Sequence, residues 1–193
     1  MVAQALHRPT LAASIVPNLW LGAGNIAWVF SWALNQLALS CVFMVAGILA
    51  PLIIMYHTIG EAAAVKATTP LGALSTRVWV SMYLGWISVA TIVNFAGAGT
   101  PVDGVAHGGW SASNWSITML TVATLLGFLM LALHSDTVYA GVLVWAFIAI
   151  ARNQGEGSGF PGDDRVVKAA SVYAICLSVG IAAALTVRCK WRK

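Results

Sequence analysis

The chain has 193 residues, of which 60% are hydrophobic and only 8% charged, with a formal net charge of +4. A soluble domain of this size carries about 25% charged residues, so the composition excludes an ordinary aqueous fold and points to a bilayer. The net positive charge does not point to nucleic acid, because the Lys and Arg residues sit beside apolar segments, where they act as topology signals and contacts to lipid headgroups.

In chain order, residues 1–14 form an N-terminal segment, and Met1 to Asn18, with His7 and Arg8 and no acid, are weakly like an organelle-targeting remnant but too short to be read as a cleavable presequence. Six apolar runs follow, Ile15 to Ala33, Leu37 to Tyr56, Val78 to Ala96, Trp115 to Leu133, Thr137 to Ala151 and Val167 to Val187. Runs of about 20 apolar residues predict membrane-crossing helices, and the fifth, the shortest, must borrow interfacial length. The first two are separated only by Leu34, Asn35 and Gln36, and the fourth and fifth only by His134, Ser135 and Asp136, so both pairs are expected to form tight antiparallel hairpins. The expected fold is all-α, a polytopic transmembrane bundle of about six spans in a single domain over residues 15–187, closed by a basic tail over 188–193.

Six spans place Arg8, Lys66, Arg77, Arg188, Lys190, Arg192 and Lys193 on one face and Arg152, Arg165 and Lys168 on the other. The asymmetry predicts both termini on the cis side. Of the connections, His57 to Arg77 is long enough for a short interfacial helix, and Gly97 to Asn114 is rich in Gly, Ser and Thr. Asn153 to Asp164 reads as a flexible turn whose Asp163 and Asp164 cap the last helix. Gly155, Gly157 and Gly159 within it share only letters with a phosphate loop, since no strand precedes them and no Lys-Ser/Thr follows.

Titratable and nucleophilic residues are sparse. Cys41, Cys176 and Cys189 have neither metal-ligand spacing nor the pattern of a disulfide framework, and they read as small hydrophobes, with Cys189 also a candidate for acylation in the basic tail. Asp103 and His107, four apart in a Gly-rich loop, are a weak metal signal. His57 and His134 sit at span ends, facing water or headgroups in the plain reading and ligating a tetrapyrrole metal in the sharper one. No motif sets a nucleophile beside a base, and no acid lies at the centre of a span, which argues against an enzyme and against an ion-coupled pump.

Two helical stripes carry more information. Asn25, Trp28 and Trp32 fall on one helix face by their spacing, as do Tyr83, Trp86, Ala90 and Asn94. An amide in hydrocarbon needs a protein partner or a ligand, so these faces either line a flat apolar cavity or lock helices together. Ser81 and Gly85, four apart, permit close approach of another backbone.

These stripes resemble those of the translocator protein family, also called the tryptophan-rich sensory proteins. Its third helix carries Leu-Asn-x-x-Trp followed by aromatics, and here Gly24, Asn25 and Trp28 followed by Phe30 and Trp32 stand in that place. Its fifth carries Pro-Tyr-x-x-Trp-x-x-x-Ala-x-x-x-Asn, which Met82, Tyr83, Trp86, Ala90 and Asn94 reproduce apart from the proline. The stretch Ser81 to Asn94 is especially similar to an extended branch that adds helices after the fifth. The resemblance reaches from about Asn18 to Ala96, with a looser likeness around Val144, Trp145 and Ala146; the family's first two helices and the loop between them have no counterpart before Ile15.

The resemblance implies a non-enzymatic membrane protein that binds a tetrapyrrole or an apolar, sterol-like lipid. Asn25, Trp28, Trp32, Tyr83, Trp86 and Asn94 are then the ligand-binding residues, His57 and His134 the candidate axial ligands, and porphyrin, chlorophyll or haem the candidate cofactors. A pocket that requires the two missing helices does not carry over. The rival expectation is a structural accessory subunit of a photosynthetic or respiratory complex, in contact with its other subunits, chlorophyll, carotenoid or membrane lipids. The plastid thylakoid, mitochondrial and bacterial inner membranes all fit the sequence.

Overall fold

The computed structural model describes residues 8–65, 70–99, 105–106, 110–154 and 162–191. Among the described residues, six helical rods follow the six apolar runs. α1 spans Arg8–Ala33, and a second rod is built from α2, Leu37–Val42, a π-helical stretch, Phe43–Leu49, and α3, Ala50–Val65. α4 spans Pro70–Gly99, α5 Ala112–His134, α6 Thr137–Asn153 and α7 Asp164–Trp191. Four rods, Leu37–Thr58, Arg77–Ala98, Ala112–His134 and Asp164–Lys190, are long and apolar enough to cross a membrane, and α6 is the shorter apolar helix. Among the described residues α1 is not one of the four; its run contains Pro17, Asn18 and Asn25.

The connections differ from expectation in two places. The helix expected to end near Tyr56 runs on to Val65, because Ala62 to Ala64 are strong helix formers, and α4 already starts at Pro70. The long connection expected after His57 is therefore largely helical. Between α4 and α5 lies an antiparallel pair of two-residue strands, β1, Val105–Ala106, and β2, Trp110–Ser111, in register Val105 with Ser111 and Ala106 with Trp110. Asp103, His107 and the glycines at 155, 157 and 159 lie outside the described residues.

The chain divides into two compact units, Met1–Val80 and Ser81–Lys193. In the first, Asn35 takes the left-handed conformation at φ 57°, and its N–H bonds the Trp32 carbonyl, closing the turn from α1 to α2. At the π-helical stretch Pro51 has no N–H to give to the carbonyl four residues back, Gly47, and a wider turn accommodates the lost bond. There Gly24 of α1 meets Gly47 so closely that a Cβ built on Gly24 would lie 2.1 Å from the Gly47 carbonyl oxygen.

In the second unit, Ser135 at φ 49° closes α5, and Asp136 caps α6 by accepting from the Val138 and Tyr139 N–H groups at 3.1 and 3.0 Å. The core is apolar, with Leu143, Phe147, Ala170 and Leu177 buried. Hydroxyls within the helices mostly return to the carbonyl four residues back, as Ser88 does to Leu84, Thr91 to Ile87 and Thr124 to Leu120, which satisfies them without water.

α7 starts with the expected acidic cap. Asp163 accepts from the Arg165 N–H at 2.7 Å and from the Ser113 hydroxyl, while the Arg165 guanidinium donates to Asn114 Oδ1 at 2.7 Å. The Ser113 hydrogen bond first, then the Arg165 N–H, hold the Asp163 carboxyl below its usual range. A carboxyl depressed in the folded state contributes above its unfolded pKa and is lost as pH falls through the folded value. Hydrogen-exchange protection of the Arg165 and Val166 amides is therefore expected to fall on acidification through and below the ordinary Asp range. Asp163→Asn removes that pH dependence.

Candidate functional site

The second stripe builds the clearest recess. α4 presents Met82, Tyr83 and Trp86, and α6 presents Val138, Gly141, Val142 and Trp145; together they line a groove of about 650 Å³. The helices come close here because Gly85 lacks a side chain: a Cβ at that position would meet Val142 Cβ at 3.1 Å and the Tyr139 carbonyl at 3.2 Å.

Two indoles dominate the lining. The rings of Trp86 and Trp145 lie 5.6 Å apart at 50°, within the range of favourable aromatic pairs. Trp86 is 45% exposed and Trp145 58% exposed, so both keep open π surface. The Tyr83 hydroxyl and the two indole N–H groups are the only polar side-chain groups among the lining residues. One end of the groove is fixed by a buried polar link, in which Ser81, next to Met82, donates from its hydroxyl to Asp136 Oδ2 at 2.6 Å.

The predicted site residues occupy different places in the structure. Tyr83 and Trp86 line the groove, whereas Asn94, two turns further along α4, is 1% exposed and is not part of the lining. Its side chain is interior to the unit. In the first unit Asn25 is half-buried and its Nδ2 donates to the Leu21 carbonyl at 2.7 Å, an intrahelical bond. Trp28 is half-buried and its indole N–H has no acceptor among the described residues, while Trp32 is 45% exposed. His57 is exposed and packs edge-on against Tyr56 at 5.9 Å, and His134 occupies the last turn of α5. Among the described residues, no group of three or more His, Cys, Asp or Glu side chains is placed to hold a metal ion.

Three contributors escaped the sequence reading. Trp145 entered it only through a loose likeness, although its position two turns after Val138 places it on the same face of α6. Asp136 stood in a short connection, and the signal for it was its place directly before the first apolar turn, where a capping Asp belongs. Ser81 was read for its small size, and its hydroxyl proves the more specific feature.

No curated protein and no solved structure matches the chain. The sequence model of the family described as TSPO-like protein does match, over residues 6–185. This extends well beyond the Asn18 to Ala96 stretch that carries the motif resemblance, and it takes in α5, α6 and most of α7. A polytopic helical membrane protein whose family match reaches from the first rod into the last, the chain belongs to the TSPO-like protein family.

Proposed function

We propose that this integral membrane protein binds a flat, apolar ligand, a tetrapyrrole ring or a sterol-like lipid, in the groove between α4 and α6, without acting as an enzyme. The single observation that supports the reading is the Trp86–Trp145 pair, two half-open indoles on the wall of a recess of about 650 Å³. Ligand pockets of roughly 300–1,000 Å³ with mainly apolar walls and a few polar groups suit molecules of this size. The indoles offer π faces to a planar ring, and Tyr83 offers a polar handle at its edge. His134 is not among the lining side chains, and His57 belongs to the other unit, so stacking rather than axial ligation carries the proposal and a metal-free porphyrin is the preferred probe.

Titration of the purified protein with protoporphyrin, followed by Trp fluorescence quenching, tests it. Saturable quenching is expected, and Trp86→Ala or Trp145→Ala should each weaken binding by roughly 5- to 150-fold. That range corresponds to about 1–3 kcal/mol for one stacked aromatic, taken from base stacking. Helicity and unfolding behaviour should stay close to those of the parent protein, because both indoles are half-exposed. Absence of saturable quenching by protoporphyrin and by a fluorescent sterol eliminates the binder and leaves the accessory-subunit reading.

A further inference from the structure

A second groove lies on a different face of the same unit, between α6 and α7, with a volume of about 690 Å³. Its walls are apolar, from Val144 and Ile148 on α6 and from Ala174, Ile175, Val179 and Ala182 on α7. The two hydroxyls in it, Ser171 and Ser178, are already committed to the Val167 and Ala174 carbonyls at 2.8 Å each. The furrow therefore presents hydrocarbon rather than hydrogen-bonding groups.

One end is different. Arg152 lines the groove there, and Lys168 lies on the same face of α7 as Ser171, Ile175 and Ala182 by helical spacing. Both cations are exposed, and among the described residues neither has a carboxylate partner, whereas the nearby Arg165 is engaged with Asn114. From Ser171 to Ala182 the groove runs roughly 16 Å at about 1.5 Å per residue, the depth of one leaflet of a hydrocarbon core about 30 Å thick.

A cationic mouth on a one-leaflet apolar furrow suits an acyl chain with an anionic head, and we infer that this groove holds an anionic glycerophospholipid. Its phosphate sits at Arg152 and Lys168 and one acyl chain lies along Ala174, Ser178 and Ala182. A zwitterionic lipid brings its own ammonium group beside the phosphate and so complements the two cations less well. A second copy of this face brings like charges together.

The full chain, purified in detergent, is examined by native mass spectrometry with phosphatidylglycerol and phosphatidylcholine of identical acyl chains. One phosphatidylglycerol is expected to be retained in clear preference to phosphatidylcholine. A basic residue near an anionic lipid surface is worth roughly 5-fold in affinity, so Arg152→Gln with Lys168→Gln should reduce retention about 25-fold. Ser178→Phe keeps both charges and fills an exposed part of the furrow, and it should also displace the lipid while the protein remains folded by circular dichroism. Equal retention of the two lipids overturns the inference, as does loss in the charge variant with full retention in Ser178→Phe, which reduces the site to a headgroup patch. Displacement by equimolar oleate reassigns the groove to free fatty acids, and a dimer mass abolished by Ser178→Phe reassigns it to self-association. The protoporphyrin titration reads the other groove, so either proposal can fail alone.

Discussion

Replacing Gly24 by alanine is expected to disrupt the first unit, while the same change two residues earlier, Gly22→Ala, leaves it intact. A Cβ on Gly24 would lie 2.1 Å from the Gly47 carbonyl oxygen, 2.4 Å from its carbon and 2.7 Å from its Cα. All three are backbone atoms, so no side-chain rotation relieves the clash and the two rods must separate. Overpacking costs about 1–3 kcal/mol where side chains can adjust, and a backbone obstacle belongs at or above the upper end of that range. At Gly22 a Cβ meets nothing within 4 Å, and alanine there gains up to about 1 kcal/mol of helix propensity. Gly47→Ala, with a single contact below 3 Å, at 2.8 Å from Gly24 Cα, should fall between them. Thermal or denaturant unfolding in detergent gives the order directly. Equal stability of Gly22→Ala and Gly24→Ala removes the close approach of the two rods as a determinant of this unit.

The glycine contact marks where the sequence stops being readable. The number and order of the rods were visible because charge is sparse within the apolar runs, whereas their ends were not, since α1, α3, α4 and α7 all run past the apolar stretches. The two tight turns were visible because three residues separate long helices. Which face of each rod turns inward was not. A helix that is hydrophobic nearly all round carries no amphipathic signal, so spacing groups residues on a face without assigning that face to core or to lipid. The stripes illustrate the limit: Tyr83 and Trp86 share a face with Asn94 by spacing, yet Trp86 opens outward on the groove while Asn94 is buried. The π-helical stretch was equally hidden, although Pro51 placed four residues after Gly47 is the physical reason a regular α-helix fails there. Asp163 was predicted as a cap from local chemistry alone, because capping depends on residues adjacent in sequence; the Ser81–Asp136 link joins positions 55 apart and has no such local signature.

That link carries the second large effect. Asp136 is buried, and its carboxylate accepts from Val138 N–H, Tyr139 N–H and the Ser81 hydroxyl. Asp136→Ala removes the α6 cap, worth about 0.5–2 kcal/mol, and a hydrogen bond to a charged group, worth about 1.5–3 kcal/mol. Part of the loss is recovered, because Ser81 can turn to the carbonyl four residues back as Ser88 does, so a net destabilisation of about 2–4 kcal/mol is expected. Asp136→Asn should cost less, since its amide oxygen still caps α6 and its NH₂ donates to the Ser81 oxygen. The groove connects this to function: Ser81 adjoins Met82 on one wall, and Asp136 orients the first turn of α6, where Val138 begins the other. If the link sets the spacing of the walls, Asp136→Ala weakens protoporphyrin binding along with stability, and Asp136→Asn retains most of both. Unfolding and quenching titrations on the two variants decide it, and an Asp136→Ala protein with unchanged affinity shows that the groove keeps its shape without the link.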